Sequence, residues 1–160
     1  MRRLAVLLAA TLALVTAACG KHEPTGTAVL GLVSDSVEVN PSESQLLLAK
    51  ARWTSERNAR DYTFVTAFAC FCAANVGTAV RVTVHGTQVV SVREVTSGRS
   101  RLATEYYSIE ALFDRAVDAR ARDESVRVKY AAGGYPAQLT IGTPENDGGV
   151  TYGVSEVRLQ

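Results

Sequence analysis

Two of the three cysteines lie two residues apart, a spacing that could support thiol chemistry. Residues 61–72 read D-Y-T-F-V-T-A-F-A-C-F-C. In a β-strand Cys70 and Cys72 would share one face, because side chains alternate with period two. Their Cα atoms would lie about 6.6–6.8 Å apart, the upper limit for a disulfide, and a bulge or strand end at Cys72 would shorten that distance. A structural disulfide, two buried thiols, and redox or metal chemistry are the three interpretations.

Other arrangements that support catalysis or metal binding are scarce in the sequence. The only histidines are His22 and His85, and a zinc site of two cysteines and two histidines would need both to converge. The chain contains no G-x-S-x-G nucleophile turn and no glycine-rich phosphate motif. Glu145 and Asp147 lie in a glycine-rich loop, which indicates a solvated tip or a cation site. We therefore expect no catalytic residue, no metal and no cofactor.

The N-terminus has the pattern of an export signal. Arg2 and Arg3 precede an apolar run of 12 residues at 4–15, and small residues follow. The run is too short to span a bilayer, but it has the length of a signal-peptide core. We therefore predict that residues 1–18 are a signal peptide.

The third cysteine, Cys19, indicates a lipid anchor. Ala17-Ala18-Cys19 resembles a bacterial lipobox, which implies cleavage before Cys19 and attachment of diacylglycerol to its thiol. Thr16 departs from the pattern, since Leu is commoner there, so ordinary secretion and an uncleaved anchor are the alternatives. Acyl chains such as palmitate would hold the protein to a membrane. By resemblance to lipoproteins of two-membrane cells, Gly20 in place of Asp is compatible with the outer membrane and a periplasm-facing domain.

The composition predicts one globular domain after a flexible tether. The chain has 17 basic and 16 acidic side chains, and this near-neutral balance gives no electrostatic reason to propose a nucleic-acid partner. Residues 19–41, with scattered glycine, proline and serine, predict a lipidated N-terminus and a tether. Residues 42–160 then form the domain, which is large enough to bury a core.

Two helices are predicted by their caps and apolar spacing. Ser42 and Gln45 fit a capping box, which begins a helix over about 43–58. Ser108 caps a second helix, whose apolar stripe has the spacing i, i+3, i+4, i+7 and i+8. The aromatic residues expected to anchor the core are Trp53, Tyr62, Phe64, Phe68 and Phe113.

Strands follow each helix. Residues 80–92 alternate as a hairpin, for which we predict a three-residue loop, 84–86, that pairs Thr83 with Thr87 and Val80 with Val90. Residues 96–104 predict a mobile polar loop. Strands near 126–130, 137–141 and 150–154 follow, and a change of phase predicts a bulge or strand end near Ser155. The fold class is therefore α+β, with two helix-then-β-meander units and the helices on one face of a twisted antiparallel sheet.

A set of spaced motifs carries a family resemblance. The motifs are Trp53 followed by Asn58, Tyr62-Thr63-Phe64, Cys70-Phe71-Cys72, Val82-x-Val84-x-Gly86, the helix at 109–113, Tyr130, and Gly134-Tyr135-Pro136. Together they resemble an uncharacterised family of bacterial lipoproteins with a domain of unknown function, over about 46–157. Ala131 and Gly142 depart from the pattern, in which acidic residues stand there. The resemblance implies no activity, and a remoter likeness of architecture to PepSY-type and β-lactamase-inhibitor-type modules implies binding or inhibition.

The expected function is that of a lipid-anchored, non-catalytic binding or scaffold protein of the cell envelope. Tyr106, Tyr107 and Tyr135 are candidates for a binding surface, because tyrosine is enriched at such surfaces. The expected partners are a membrane, contacted through the N-terminal lipid, and an envelope protein or peptide. A thiol-redox or other enzyme using Cys70 and Cys72, and an accessory subunit in outer-membrane assembly, are the alternatives.

Overall fold

In the part of the chain that the structure describes, the domain contains seven strands and two α-helices. The computed structural model of the chain describes residues 38–70, 77–143 and 148–160. The predictions for the signal peptide, Cys19, Cys72, Glu145 and Asp147 lie outside the described residues. In chain order the elements are β1 (Glu38–Val39), α1 (Glu43–Arg57), β2 (Tyr62–Cys70), β3 (Val80–His85), β4 (Gln88–Glu94), a 3₁₀ turn (Ala103–Glu105), α2 (Ile109–Ala121), β5 (Val126–Tyr130), β6 (Pro136–Ile141) and β7 (Val150–Leu159).

The strands form one sheet in the order β1-β5-β6-β7-β2-β3-β4, and all neighbours are antiparallel. Both helices lie on the face to which Tyr62 points, because Tyr62 contacts Trp53 of α1 and Glu110 of α2. The α+β fold class is therefore confirmed. Neither helix in the described ranges has the length and apolar character needed to cross a membrane.

The core lies between the helices and the central strands. Tyr62 and Phe64 on β2 are opposite Val84 and Val82 on β3, and all four are fully buried. Burying each such side chain contributes about 1.5–3 kcal/mol. Trp53 and Phe113 cover these strands from the helices and are also buried, whereas Phe68 is partly buried at the edge of the core. The alternation of β2 therefore sets the position of the core.

The helix boundaries follow from capping. The Ser42 side chain accepts a hydrogen bond from Gln45 N, and the Gln45 side chain accepts one from Ser42 N, which confirms the capping box. α1 ends at Arg57 and is capped by Asn58, whose left-handed conformation (φ 49°) turns the chain toward β2. Ser108 caps α2 by accepting from Ala111 N. Each helix thus begins where the sequence predicts.

The hairpin of β3 and β4 has a different turn from the one predicted. His85 pairs with Gln88 across a two-residue turn, so the prediction that Thr83 pairs with Thr87 is wrong. Gly86 occupies the first turn position with φ 59°, a left-handed conformation in which glycine lacks the Cβ clash of other residues.

A bulge in β4 restores the alternation after this turn. Val84 pairs with Val89 and Val82 pairs with Val92, which leaves Val90 as an extra residue on β4. Val90 is therefore 50% exposed, while Val82 and Val92 are buried. The predicted pairing of Val80 with Val90 is also wrong, because it assumed a regular strand.

Polar contacts hold the segment at 96–104, for which we expected a mobile loop. Arg101 N donates to Val92 O at 3.0 Å, and Glu94 N donates to Arg99 O at 2.9 Å. The buried Glu94 carboxylate accepts a hydrogen bond from Ser97 Oγ and lies 2.7 Å from Arg99 Nη2 and 2.5 Å from Arg101 Nη2. The Ser97 and Arg99 hydrogen bonds lower the pKa of Glu94 to about 2.

Two further features refine the predicted boundaries. Glu38–Val39 pairs with β5, so the sheet begins inside the stretch predicted as a tether, where Val-Glu-Val alternates as in a strand. On β7, Glu156 has φ 51°, and the register against β2 shifts between Thr63 and Val65. The predicted bulge near Ser155 is therefore confirmed.

Candidate binding groove

A groove lies between the start of β4 and the segment that leads into α2. Its volume is about 320 Å³. The residues that line it are Thr87, Gln88, Val89, Ala103, Thr104, Tyr106, Tyr107, Ser108 and Ala111. It exists because the 3₁₀ turn and the Ser108 cap bring the chain back beside the sheet's last strand. Hereafter this set of residues is called the groove.

Tyr106 forms part of the inner wall. Its side chain is 8% exposed, and its ring packs on Phe68 at 6.4 Å between centroids, with 66° between the ring planes. Burial raises the pKa of Tyr106, and the Arg101 charge opposes that rise. The residue therefore supplies a fixed, neutral aromatic surface at ordinary pH.

Tyr107 connects the groove to a cation on α2. Its ring lies edge-on to Tyr152 at 6.0 Å, and the Arg115 guanidinium carbon lies 4.5 Å from its centroid. Arg115 Nη1 also donates a hydrogen bond to Tyr107 Oη at 3.1 Å. The same guanidinium lies 5.9 Å from the Tyr152 ring. Arg115 thus packs against two neighbouring tyrosine rings.

The environment of Tyr152 fits this arrangement. Burial raises the pKa of Tyr152, and the neighbouring Arg115 charge opposes that rise. Tyr152 and Tyr107 also border a small depression of about 10 Å³ beside Thr66 and Phe68. That volume is close to the least that can hold one water molecule.

The three tyrosines predicted as a binding surface do not lie together. Tyr106 and Tyr107 line the groove, but Tyr135 packs on Trp53, at 5.7 Å between ring centroids. Gly134, next to it, approaches the Arg52 side chain on α1. Tyr135 therefore belongs to the contact between α1 and the β5–β6 turn.

A buried polar cluster joins both helices to β2. The Glu110 carboxylate accepts hydrogen bonds from Trp53 Nε1 at 2.9 Å and from Tyr62 Oη at 2.5 Å. Arg57 Nε lies 2.9 Å from Glu110 Oε1, and Arg57 Nη1 donates to the carbonyl oxygens of Arg60 and Gly86. The arginine and glutamate side chains are 6% and 7% exposed.

The geometry of this cluster indicates a structural role. Arg57 Nε is close to the carboxylate but is not aligned as a hydrogen-bond donor, so the contact is an ion pair. Burial is the main cause that raises the pKa of Tyr62, and the hydrogen bond to Glu110 adds to it. With neither partner open to solvent, the cluster has no room for a substrate.

The sequence reasoning did not identify Arg57 or Glu110. Arg57 lies four residues after Trp53, and Glu110 lies three residues before Phe113, so each shares a helix face with a core aromatic residue. That spacing was the available signal. It did not reveal that the two charges face each other, because the pairing spans two helices.

The chemically reactive residues are dispersed in the structure. Cys70 ends β2 and is partly buried, while Cys72 lies outside the described residues, so their disulfide stays a prediction. His85 Nδ1 lies 3.7 Å from Asp61 Oδ2 at the hairpin turn, with 61% of the histidine side chain exposed. In the part of the chain that the structure describes, no three His, Cys, Asp or Glu side chains group as metal ligands would.

Comparison with known proteins gives a family but no activity. The family described as DUF6174, a family of unknown function, matches residues 45–159. The chain belongs to the DUF6174 family. The match covers α1 through β7, so the groove and the buried cluster both lie within the DUF6174 domain. No curated protein and no solved structure matches the chain, and the likeness to PepSY-type modules stays a prediction.

Proposed function

We propose that this DUF6174 protein is a lipid-anchored protein of the cell envelope whose domain binds an extended segment of another envelope protein, without catalysis. The groove beside β4 carries the proposal. It combines an aromatic wall at Tyr106 and Tyr107 with an apolar surface at Val89 and Ala103. Ligand sites are typically concave and largely apolar, with a few placed polar groups.

The edge of β4 supports an extended ligand. β4 is the edge strand of the sheet in the described chain. The segment at 99–101 forms main-chain hydrogen bonds only with the second half of β4, at Val92 and Glu94. Within the described ranges, residues 88–91 therefore form no main-chain hydrogen bonds on the side away from β3, where the 3₁₀ turn lies across the groove. A peptide could add there as a strand, with main-chain hydrogen bonds for affinity and groove contacts for specificity.

The bulge makes this edge distinctive. Val90 is 50% exposed on it, and a bulge is one way in which proteins restrict pairing at a sheet edge. Partner choice would then depend on whether a segment fits the bulged strand and reaches the tyrosines. This combination favours one class of extended segment over unselective association.

The lipid anchor rests on the sequence of the N-terminus. Cleavage before Cys19 would leave residues 20–37 between the lipid and β1, a span of at most about 60 Å when fully extended. The test is Cys19→Ser. We expect the protein to leave the membrane fraction and to stop taking up labelled palmitate. Continued labelling and membrane retention would refute lipidation at this site.

Site-specific photocrosslinking in cells tests the binding function. A photoreactive amino acid in place of Gln88 lies in the groove, whereas one in place of the exposed Asp118 lies on α2 outside it. We expect a discrete crosslinked partner from position 88 and none from position 118. Equal patterns at the two positions, or no adduct at either, would contradict the proposal.

A matched pair of substitutions sharpens this test. Val90→Lys places a charge on the open edge, and Val95→Lys makes the same change at a residue of similar exposure outside the groove (50% and 47%). We expect only Val90→Lys to abolish the adduct from position 88. An outer-membrane assembly protein as the crosslinked partner would favour the accessory-subunit alternative.

We also propose that the domain consists of two helix-then-β-meander units. Each helix precedes three strands that are neighbours in the sheet, β2-β3-β4 after α1 and β5-β6-β7 after α2. This order supports the division. In this division, the groove lies between the last strand of the first unit, β4, and the start of the second unit at α2.

A further inference from the structure

We propose that Arg115, oriented by Tyr107 and Tyr152, is a carboxylate-binding subsite beside the groove, which it adjoins through its contact with Tyr107. The ligand group is a carboxylate of the bound segment, from either a chain terminus or an Asp or Glu side chain. This inference rests on the proposed binding function and names the chemistry that the groove selects. Arginine is well suited to this role because its planar guanidinium matches a carboxylate.

The first observation concerns the partners of arginines whose Nε atom is buried. Three arginines in the described chain have a buried Nε without a hydrogen-bond acceptor, namely Arg57, Arg101 and Arg115. Arg57 and Arg101 nevertheless have a carboxylate close by, at 2.9 Å from Glu110 and 2.5 Å from Glu94. Arg115 has no ion pair with any described carboxylate, so its charge lacks the compensation that the other two have.

The second observation concerns orientation. The guanidinium lies 4.5 Å from the Tyr107 centroid and 5.9 Å from that of Tyr152. Its Nη1 donates a hydrogen bond to Tyr107 Oη, and the side chain also hydrogen-bonds to the Tyr152 hydroxyl. An arginine has five N–H donors. Packing against two rings reduces the entropy that a ligand would have to remove. The two tyrosine hydroxyls accept only part of the five donors, so others remain for a carboxylate.

The third observation concerns the neighbouring acids. Asp114 precedes Arg115 on α2 but pairs with Lys50, and Glu105 lines the small depression without forming an ion pair with Arg115. Asp118, one turn further along α2, is exposed and lies beyond ion-pair distance of Arg115. The positive charge of Arg115 is therefore not neutralised by an acid of its own helix.

Binding of small probes, followed by amide chemical shifts in NMR, tests the inference. The probes are N-acetyl-leucine, its amide, and the N-acetyl α-amide of glutamic acid, whose only carboxylate is on the side chain. We expect carboxylate probes to shift the amides around Tyr107 and Arg115, and the leucine amide to bind at least about tenfold more weakly. Raising NaCl to about 0.5 M should weaken only the carboxylate probes.

Four variants separate charge, geometry and fold. Arg115→Met should lose the preference for carboxylate over amide, and Arg115→Lys should keep only part of it, because ammonium lacks the planar fork. Arg122→Met, which removes an exposed arginine paired with Glu124, should leave the preference unchanged. Circular dichroism of each variant checks the fold. If Arg115→Met fails to fold, Arg115→Lys and Tyr107→Phe still test the subsite with smaller changes to the packing.

The outcomes distinguish this inference from the binding function itself. The subsite would be overturned if N-acetyl-leucine and its amide bound with equal affinity. It would also be overturned if the preference for carboxylate persisted in folded Arg115→Met or was unchanged in Arg115→Lys. A crosslinked partner at position 88 together with either result would leave the groove as a binding site without this specificity. Preference for the leucine probe over the glutamate probe would identify a chain terminus as the source, and the reverse would identify a side chain.

Discussion

Tyr62 Oη lies 2.5 Å from Glu110 Oε2, which joins the first residue of β2 to the second residue of α2. The same hydroxyl accepts a hydrogen bond from Ile109 N at 3.0 Å. Trp53 of α1 donates to the other carboxylate oxygen, so one buried acid fixes both helices over the sheet. The position of the start of α2, and with it one wall of the groove, depends on this contact.

Removing the Glu110 carboxylate should therefore destabilise the domain strongly. Glu110→Ala leaves the Arg57 charge buried and the Trp53 and Tyr62 donors unpaired, and breaking a buried pair in this way costs about 3–5 kcal/mol. Urea unfolding measures the loss. Tyr62→Phe should cost less, about 1–2 kcal/mol.

Glu124→Ala is the matched control for this substitution. Its carboxylate pairs with Arg122 at the surface, where such contacts contribute about 0–1 kcal/mol. A loss in Glu110→Ala no larger than that in Glu124→Ala would contradict the structural role of the buried cluster.

Stability should depend on pH through Glu94. Its pKa is lowered to about 2 in the folded protein, below the ordinary value of 4.5. A lowered folded-state pKa stabilises the fold above the unfolded-state pKa, and this contribution is lost as pH falls through the folded value. The advantage of wild type over Glu94→Gln should therefore be constant above about pH 6 and decrease between about pH 4.5 and 2.

Urea unfolding of both proteins across this range measures the effect. Ser97→Ala removes the largest cause of the shift, so this variant should be less stable than wild type above about pH 6, and the difference should shrink in the same pH window. The stability difference between wild type and Glu94→Gln could also stay unchanged down to pH 2. That result would show that the Glu94 carboxylate is not held by Ser97, Arg99 and Arg101 as the structure indicates.

Tyr130 should show the opposite dependence on pH. Its hydroxyl is buried without a hydrogen-bond partner in the described chain, and burial raises its pKa to about 12. A raised folded-state pKa gives stability that is present below the unfolded value near 10 and is lost as pH rises toward 12. The stability of Tyr130→Phe relative to wild type should therefore increase as the pH rises between these two values.

At neutral pH, Tyr130→Phe should be neutral or stabilising by about 1 kcal/mol, because it removes an unsatisfied polar group and keeps the ring stacked on Phe113. Unfolding at pH 8 and pH 11 makes the comparison, roughly spanning the ordinary tyrosine pKa. Equal losses of stability in both proteins on raising the pH would contradict the assignment.

Two glycines with similar backbone angles should respond differently to alanine. Gly77 and Gly142 have φ of 83° and 79°, and a Cβ on Gly142 would lie 2.6 Å from Gly148 O, whereas none of the described atoms lies within 4 Å of one on Gly77. Gly77→Ala should cost about 1–2 kcal/mol from the left-handed backbone alone. Gly142→Ala should cost more stability, because its Cβ also meets Gly148 O. Thermal unfolding of both variants measures the two losses, and equal losses would refute the clash.

The cysteine pair gives a covalent prediction. We expect Cys70 and Cys72 to resist alkylation in non-reduced Cys19→Ser protein purified from an oxidising compartment, and to take up two alkyl groups after reduction. Mass spectrometry reads both states. Two alkyl groups without reduction would exclude the disulfide, and rapid, selective alkylation of one thiol at neutral pH would favour the redox alternative.

Local signals predicted much of the fold. The Ser42 capping box placed the start of α1, and the alternation of β2 placed Tyr62 and Phe64 toward the helices. These features depend on neighbours within a few residues. The hairpin register was missed because Val89 and Val90 are equally apolar, so the pattern does not show which one is the bulged residue.

The candidate site was less accessible to sequence reasoning. Tyr106 and Tyr107 were selected by residue type, and the structure places both in one groove. Arg115 was not selected, because its contacts with Tyr107 and Tyr152 join residues that are 8 and 37 positions away along the chain. Such contacts depend on tertiary packing, for which a single sequence carries no local pattern.

The central position of β7 has a consequence for biogenesis. β7 follows the other six strands in the chain but lies between β6 and β2, and it alone joins the two halves of the sheet. A ribosome therefore releases both halves before the strand that unites them. Until that strand emerges, β2 and β6 expose unpaired edges, which can pair with other chains and make the incomplete domain prone to aggregation.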